Sequence, residues 1–321
     1  MNNLSNITLF YLTANPSLAK EVADNLGMPL SQSEVTHFAD GEVLARPLSN
    51  VRGKTVYVIQ STATPVSERL MELLIFIDGL RNAKAKEINL VIPYYGFCRQ
   101  DRVARSGEPI TAKLVAKLLE TVGVNRIITM DLHTPQIQGF FSCPVDDLSP
   151  ISLFGEYYRN LIVKKGIKSE DCCVVSPDHG STHRARDLAS EIANSNLAII
   201  DKRRPAPNVA EVVNVVGNVK GKHCIIMDDI IDTAGTVLAS VDALYRHGAA
   251  SVYIGGTHGI FSHDALSRIK EGRVEDLVVT NSIERSYDSW VSVISIAPMI
   301  AGVIKASEEG LPVPDSWMAF Y

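Results

Sequence analysis

The chain has 321 residues, 46% hydrophobic and 21% charged, which suits a globular protein with a buried core and about two domains. Its formal net charge of −5 argues against a broad basic surface for nucleic acid, so a bound phosphate needs a local site. No run approaches the ~20 apolar residues of a membrane span. The first twelve residues lack the basic start and apolar run of a signal peptide. Five cysteines (Cys98, Cys143, Cys172, Cys173, Cys224) form no C-x-x-C pair. They read as small buried groups in a reducing, cytoplasmic compartment, without a zinc or disulfide framework.

Along the chain, short β-branched runs alternate with helical periodicity. Strands are expected at 56–59, 88–92, 127–130, 173–175, 197–200, 224–227, 252–254 and 277–280. Amphipathic helices are expected at 68–83, 112–121, 184–193 and 237–247. This alternation predicts an α/β protein with mostly parallel sheets flanked by helices. Such folds bind ligands at the carboxyl ends of their strands.

The pattern repeats. Val51-Arg52-Gly53-Lys54 leads into the strand at 56–59, and Val219-Lys220-Gly221-Lys222 into that at 224–227. Ile77-Asp78-Gly79-Leu80 is matched by Val241-Asp242-Ala243-Leu244, each followed at the same spacing by another strand. Two matches in the same order predict a duplicated α/β domain, with its boundary near 147–150 between Pro144 and Pro150. The halves differ after the first of these strands. One continues Gln60-Ser61-Thr62, the other Asp228-Asp229 and a Thr-Ala-Gly-Thr turn.

That second run, from Ile225 to Thr236, passes from a buried strand through two carboxylates into a small-residue turn and then a helix. A turn at a helix N-terminus offers backbone N–H groups and the positive dipole end to an anion. Gly235 permits close approach, and Thr233 and Thr236 add hydroxyls. Asp228 and Asp229 repel phosphate, so they suit vicinal hydroxyls or a cation near a sugar. Phosphate at one end and a diol at the other describe a ribose 5-phosphate. The string is neither a G-x-G-x-x-G nor a Walker-type loop.

Met130-Asp131-Leu132-His133 and Ser176-Pro177-Asp178-His179-Gly180 each follow a strand. They read equally as metal-site candidates and as capping aspartates beside satisfied histidines. Asp201-Lys202-Arg203-Arg204-Pro205-Ala206-Pro207 reads either as solvated charge or as a loop that closes over a phosphoryl group. His37 to Glu42, with Phe38 available to stack on a base, and Arg99-Gln100-Asp101-Arg102, available to clamp a polyphosphate, are weak signals singly.

Together these segments resemble the ribose-phosphate pyrophosphokinase (phosphoribosyl pyrophosphate synthetase) family. The resemblance spans almost the whole chain and adds Met71-Glu72-Leu73-Leu74, Pro93-Tyr94-Tyr95-Gly96 and Gln136 to Phe141. It implies two tandem phosphoribosyltransferase-like domains. Residues 1–148 would form the ATP-site and oligomerisation domain, and 149–321 the ribose-5-phosphate-binding domain, with the extreme C-terminus packing back on the first. It also implies ATP and ribose 5-phosphate as substrates, Mg²⁺ as cofactor, and a homo-oligomer, commonly a hexamer, with ATP sites shared between subunits. Phe38, Asp40, Gly41 and Glu42 of a neighbouring subunit, with Arg99 and Gln100, would hold ATP. His133 and Asp178 would hold the metal. Lys202 and Arg204 would serve catalysis, and Arg204, Asp228, Asp229, Asp232, Thr233, Ala234, Gly235 and Thr236 would hold the sugar phosphate.

The chain departs from the family pattern at four places. Ser181 stands where a glycine is usual, Gly107 where an arginine is common, and Val103 where a lysine is usual, and the 314–321 end is atypical. These departures bear on phosphate activation and ADP inhibition more than on catalysis. Two rivals stay open: a phosphoribosyltransferase, which would not explain residues 38–42 or two complete domains, and an inactive regulatory homologue, which would be expected to have lost catalytic or metal residues.

Overall fold

A computed structural model describes residues 6–192, 195–203 and 212–319. The chain divides into two units. One comprises Met1–Ser149, Asn281–Arg285 and Ser295–Tyr321, the other Pro150–Thr280 and Ser286–Ile294.

In the first unit β1 (Ile7–Tyr11) is followed by α1 (Pro16–Leu26), the hairpin β2 (Ser33–His37) and β3 (Val43–Pro47), β4 (Thr55–Ile59) and α2 (Val66–Asn82). Then come β5 (Glu87–Ile92), α3 (Thr111–Thr121), β6 (Arg126–Met130) and β7 (Val145–Leu148). The five strands β1-β4-β5-β6-β7 form one wholly parallel sheet. Every residue of β4 is buried, as expected of a strand covered on both faces.

In the second unit α4 (Ile151–Lys165) leads to β8 (Cys172–Ser176), α5 (Thr182–Glu191), β9 (Asn196–Arg203), β10 (Val212–Val216) and β11 (His223–Ile231). α6 (Gly235–Arg246), β12 (Ser251–Gly259), α7 (Ala265–Glu271), β13 (Asp276–Thr280) and β14 (Val291–Ile294) follow. Its sheet runs β10-β9-β8-β11-β12-β13-β14, parallel except for the β9–β10 pair. Successive residues face opposite sides. Cys173, Val175, Cys224, Ile226, Val252 and Ile254 pack with Val237, Val241 and Leu244 of α6. Val174, Ile225, Met227 and Val278 pack with Phe154 and Tyr158 of α4 and with Ala185 and Leu188 of α5. Of the five cysteines, Cys143 is half-buried and the other four are buried, all as free thiols.

The expected strands and helices all form, within a few residues of their expected bounds, and the structure adds β1, β2, β3, β7, β10 and β14. The duplication is visible in detail. Gly53 and Gly221 both sit at φ 71°, and the Lys54 and Lys222 N–H groups donate to the Val51 and Val219 carbonyls at 3.0 and 3.1 Å. Gly53 N–H donates to the Lys84 carbonyl at 2.9 Å and Gly221 N–H to the Gly248 carbonyl at 2.8 Å. Lys84 and Gly248 are both left-handed, at φ 67° and 87°. Glycine takes this conformation freely, whereas lysine is strained there.

The second unit is shorter than the expected 149–321. Past β14 the chain enters α8 (Ala297–Glu309), which packs on α1 and belongs to the first unit. Apolar residues on α8, among them Met299, Ile300, Val303 and Ile304, are buried. From its end at Gly310 (φ 66°) the chain runs to β7, where Ser149 N–H donates to the Trp317 carbonyl and Ala319 N–H to the Asp147 carbonyl, both at 2.9 Å. A Cβ on Gly302 would lie 2.5 Å from Trp317 Cζ3, so this glycine seats the indole. Among the described residues no helix is long and apolar enough to cross a membrane.

Gly96 is fixed by sterics. Its N–H donates to Thr62 Oγ1 at 2.6 Å, and a Cβ there would lie 2.3 Å from the Thr62 carbonyl oxygen and 2.8 Å from Val66 Cγ1. Backbone cannot yield as a flexible side chain does. Gly96→Ala is therefore expected to cost about 2–3 kcal/mol, read as a lower urea midpoint at unchanged slope. A midpoint equal to that of the native chain would refute the steric account.

Candidate active site

In the second unit the chain runs from β8 to β9 on one side, while β11 lies on the other side of β8. Such a reversal opens a crevice at the carboxyl ends of the two diverging strands. β8 ends where Ser176 Oγ donates to the Asp178 carbonyl at 2.6 Å. β11 ends in Asp228 to Ile231, so Asp228 and Asp229 lie within the strand. The sequence had placed them after it. They occupy the strand's last turns of pleat because β11 continues in register with β12, Asp228 opposite Gly256. Gly256 has no side chain to meet Ile231, whose Cδ1 lies 2.5 Å from where a Cβ would be.

The two strand ends are tied together. Ser181 N–H donates to Asp178 Oδ1 at 3.0 Å, and Ser181 Oγ donates to Asp228 Oδ1 at 3.3 Å. Asp229 N–H also donates to Asp228 Oδ1, at 3.0 Å. Asp229 is buried, and so is Arg184 on α5. Burial, then the neighbouring Asp229 charge and a hydrogen bond with Asp229, push the Asp228 carboxyl well above the usual range; Arg184 opposes this, and Asp178 adds to it. At the rim, His179 Nε2 lies 3.2 Å from Asp201 Oδ1 on β9.

Beyond β11 the chain turns through Asp232, Thr233 and Ala234. Ala234 takes the left-handed conformation at φ 63° and begins α6 with no side-chain cap. The first-turn N–H groups of a helix lack intrahelical acceptors, so the start of α6 is suited to an anion. Thr233, Gly235 and Thr236 are exposed there. A Cβ on Gly235 would meet only Thr233 Oγ1, at 3.9 Å, so glycine keeps that approach open. The turn is fixed from behind: Ser262 N–H donates to the Asp232 carbonyl at 3.2 Å, and Arg268 Nη1 donates to the Thr233 carbonyl at 3.0 Å.

Lys202 lies in β9, and only its backbone is described; Arg204 falls outside the described residues. Asp178 belongs to the second unit and His133 to the first. His133 follows β6, where Asp131 is left-handed at φ 45°. Its N–H donates to the Leu148 carbonyl at 2.8 Å. Among the described residues no cluster of three or more His, Cys, Asp or Glu side chains is arranged to hold a metal.

The first unit carries the other expected residues. Phe38 to Glu42 form the exposed tip of the β2–β3 hairpin. Phe38 N–H donates to the Glu42 carbonyl at 2.8 Å and Gly41 N–H to the Phe38 carbonyl at 3.0 Å. Gly41 is at φ 92°, and Glu42 N–H donates to Asp40 Oδ1 at 3.1 Å. The Phe38 ring is thus presented by a closed turn, with 49% of the residue exposed. Arg99 and Gln100 are exposed before α3. Gln100 Oε1 accepts from Thr111 Oγ1 at 2.5 Å, and the buried Asp101 accepts from Thr134 Oγ1 at 2.9 Å and Gln136 Nε2 at 2.6 Å.

Two residues of the crevice escaped the sequence reading as functional. Arg184 falls four positions before Leu188, on the buried side of α5; a charge on an apolar stripe is the signal that could have found it. Ser181 stood out only as a departure. At φ −91° its backbone has no need of glycine. Gly107, at φ 84°, does occupy a conformation that an arginine would strain.

Helix-flanked parallel sheets, one ending in a carboxylate pair before a left-handed turn and an open helix start, define an α/β protein with a candidate anion site at a strand-to-helix turn. Residues 7–123 match the N-terminal domain of ribose phosphate pyrophosphokinase, and residues 169–310 match the phosphoribosyl synthetase-associated domain. The ribose-phosphate pyrophosphokinase of Listeria ivanovii is 51% identical over 312 residues, 96% of each chain. That of Bacillus subtilis (strain 168) is 50% identical over 308 residues, 95% of each. The crystal structure of phosphoribosylpyrophosphate synthetase from Mycobacterium smegmatis aligns with a TM-score of 0.89 at 40% identity, covering 95% of this chain and 99% of that one. The chain belongs to the ribose-phosphate pyrophosphokinase family.

The raised Asp228 pKa has a consequence for stability. Ionising this group costs more in the folded chain than in the unfolded one. Its favourable contribution is full below the unfolded value of about 3.9 and is lost as pH rises through the folded pKa. Asp228→Asn is therefore expected to raise the urea midpoint of the ligand-free protein at pH 8. The gain should shrink as pH falls toward about 4. A gain independent of pH, or none at pH 8, would count against the raised pKa.

Proposed function

We propose that this chain is a ribose-phosphate diphosphokinase, which transfers the pyrophosphoryl group of ATP to the C1 hydroxyl of ribose 5-phosphate for nucleotide biosynthesis in the cytoplasm. The products are 5-phosphoribosyl 1-pyrophosphate and AMP. The observation that carries the reading is the run from β11 to α6, a carboxylate pair followed by a left-handed turn and a helix start that no side chain caps. Family membership supports it.

In this reading the 5-phosphate is accepted by the first-turn N–H groups of α6 within the Asp232 to Thr236 turn, helped by the Thr233 and Thr236 hydroxyls. The ribose hydroxyls donate to Asp228 and Asp229. ATP is held by Phe38 stacking on the base, by Asp40 and Glu42 in the turn shaped by Gly41, and by Arg99 and Gln100. Since the Gln100 carbonyl oxygen is taken by Thr111, its NH₂ is the group offered to the nucleotide. The hairpin belongs to a neighbouring subunit of a homo-oligomer, a hexamer in this reading.

Mg²⁺ is a hard cation that prefers oxygen ligands and takes waters and substrate phosphates to complete its shell. The Asp178 carboxylate would suit it, with His133 as a less usual nitrogen ligand, and the ion would neutralise phosphate charge. The C1 hydroxyl oxygen attacks the β-phosphorus and loses its proton. The bond from that phosphorus to the oxygen bridging to the α-phosphorus breaks, and AMP leaves. Phosphoryl transfer depends chiefly on positioning and charge stabilisation, the roles assigned here to Lys202 and Arg204. Arg204 also contacts the sugar phosphate.

Purified protein with Mg²⁺, ATP and ribose 5-phosphate is expected to form AMP and phosphoribosyl pyrophosphate in equal amounts with no nucleobase present. Lys202→Ala should lower kcat roughly 10²–10³-fold, as loss of a principal transition-state donor does. Folded protein that forms neither product would sink the activity. Near-native turnover in the variant would sink the role of Lys202.

A further inference from the structure

We propose that Ser181 is a positioning residue for ribose 5-phosphate, setting the Asp228 carboxylate through its hydroxyl. The inference rests on the reading of Asp228 and Asp229 as ligands of the sugar hydroxyls.

Ser181 stands at the start of α5, where serine commonly caps a helix by accepting a backbone N–H. Here its side chain makes no capping hydrogen bond. The hydroxyl donates across to Asp228 Oδ1 at 3.3 Å, while its own N–H holds Asp178 Oδ1 at 3.0 Å. One residue thus joins the carboxylates at the ends of β8 and β11, the two strands that border the crevice.

The joint is firm. Ser181 is only 5% exposed, so water competes poorly for its hydroxyl. It is seated by α5, whose Ala185 and Leu188 pack in the core with Val174 and Ile225, and the Ala185 N–H donates to the Ser181 carbonyl at 3.1 Å. Asp228 Oδ1 therefore has two donors, Ser181 Oγ and Asp229 N–H. With Oδ1 so occupied, the orientation of the carboxylate is set. Glycine or alanine at 181 would keep the N–H bond to Asp178 and lose the bond to Asp228. The predicted defect therefore falls on the sugar.

The test compares steady-state kinetics of the full chain and of Ser181→Ala, Ser181→Thr and Asp228→Asn, with Mg²⁺, ATP and ribose 5-phosphate. Ser181→Ala is expected to raise the KM for ribose 5-phosphate about three- to tenfold, the loss of one net hydrogen bond. The KM for ATP should hold, and the thermal midpoint should fall only by what one buried hydrogen bond contributes, because the hydroxyl caps nothing. Ser181→Thr, which keeps the hydroxyl, should restore the sugar KM. Ser181→Ala with a native sugar KM would overturn the proposal, as would equal losses for both substrates or failure of threonine to rescue. A native sugar KM in Asp228→Asn would instead overturn the sugar-site reading beneath it.

Discussion

The candidate site depends on the order of strands around β8. Because β9 and β11 leave on opposite sides of it, the loops after β8 and β11 part. Side chains that are distant in sequence, Asp178, Ser181 and Asp228, then meet at one sheet edge. Parallel pairing demands long crossovers between strands, and those that follow β8, β11 and β12 carry the helices α5, α6 and α7. The helix after β11 thereby brings an N-terminus beside the acid pair. The open helix start and the acid pair follow from one strand order, and the buried cores on both faces of the sheet hold it in place.

The first unit's main sheet runs β1-β4-β5-β6-β7 without a reversal, and after β1 and β4 the chain hydrogen-bonds to itself. Ala14 N–H donates to Gln60 Oε1 at 2.9 Å, Ser61 N–H to Asn15 Oδ1 at 2.8 Å, and both Asn15 Nδ2 and Ser61 Oγ donate to the Ser282 carbonyl, at 3.0 and 2.6 Å. Thr13 and Arg69 both bond the buried Glu72. Hydrogen bonds of this kind offset the cost of burying amides and hydroxyls. Where β11 carries Asp228 and Asp229, the chain after β4 carries Gln60 and Ser61, and Ser61 joins Ser282.

Much of this was legible in the sequence for physical reasons. Parallel strands buried on both faces read as continuous apolar runs, so 56–59, 88–92 and 224–227 stood out. The turn entering β4 and β11 demands a left-handed glycine, so Gly53 and Gly221 betrayed the duplication. Among the strands that were missed, β2 and β3 form a half-exposed hairpin and β7 is half acidic, whereas β1 is a buried apolar run that went unread. The return of 295–319 to the first unit was not expected of the second domain as a whole, because apolar periodicity says that α8 is buried but not against what. Asp228 and Asp229 were recognised as a pair but set beyond the strand, since carboxylates are seldom expected within a buried ladder.

That last misplacement explains the character of the site. Two adjacent carboxylates in a strand, one buried and one partly so, repel each other and are poorly solvated, and the raised Asp228 pKa records the strain. The chain offsets it in part with the buried Arg184 and with donors from Ser181 and Asp229, while the chain topology keeps the pair where it is. In the proposed reading, hydroxyl donors arriving with a sugar would add to these bonds, strengthening as water is excluded. In that reading the acid pair would favour a polyhydroxylated ligand over a merely anionic one. The start of α6 could not make that distinction alone, because any anion of suitable size satisfies a helix N-terminus.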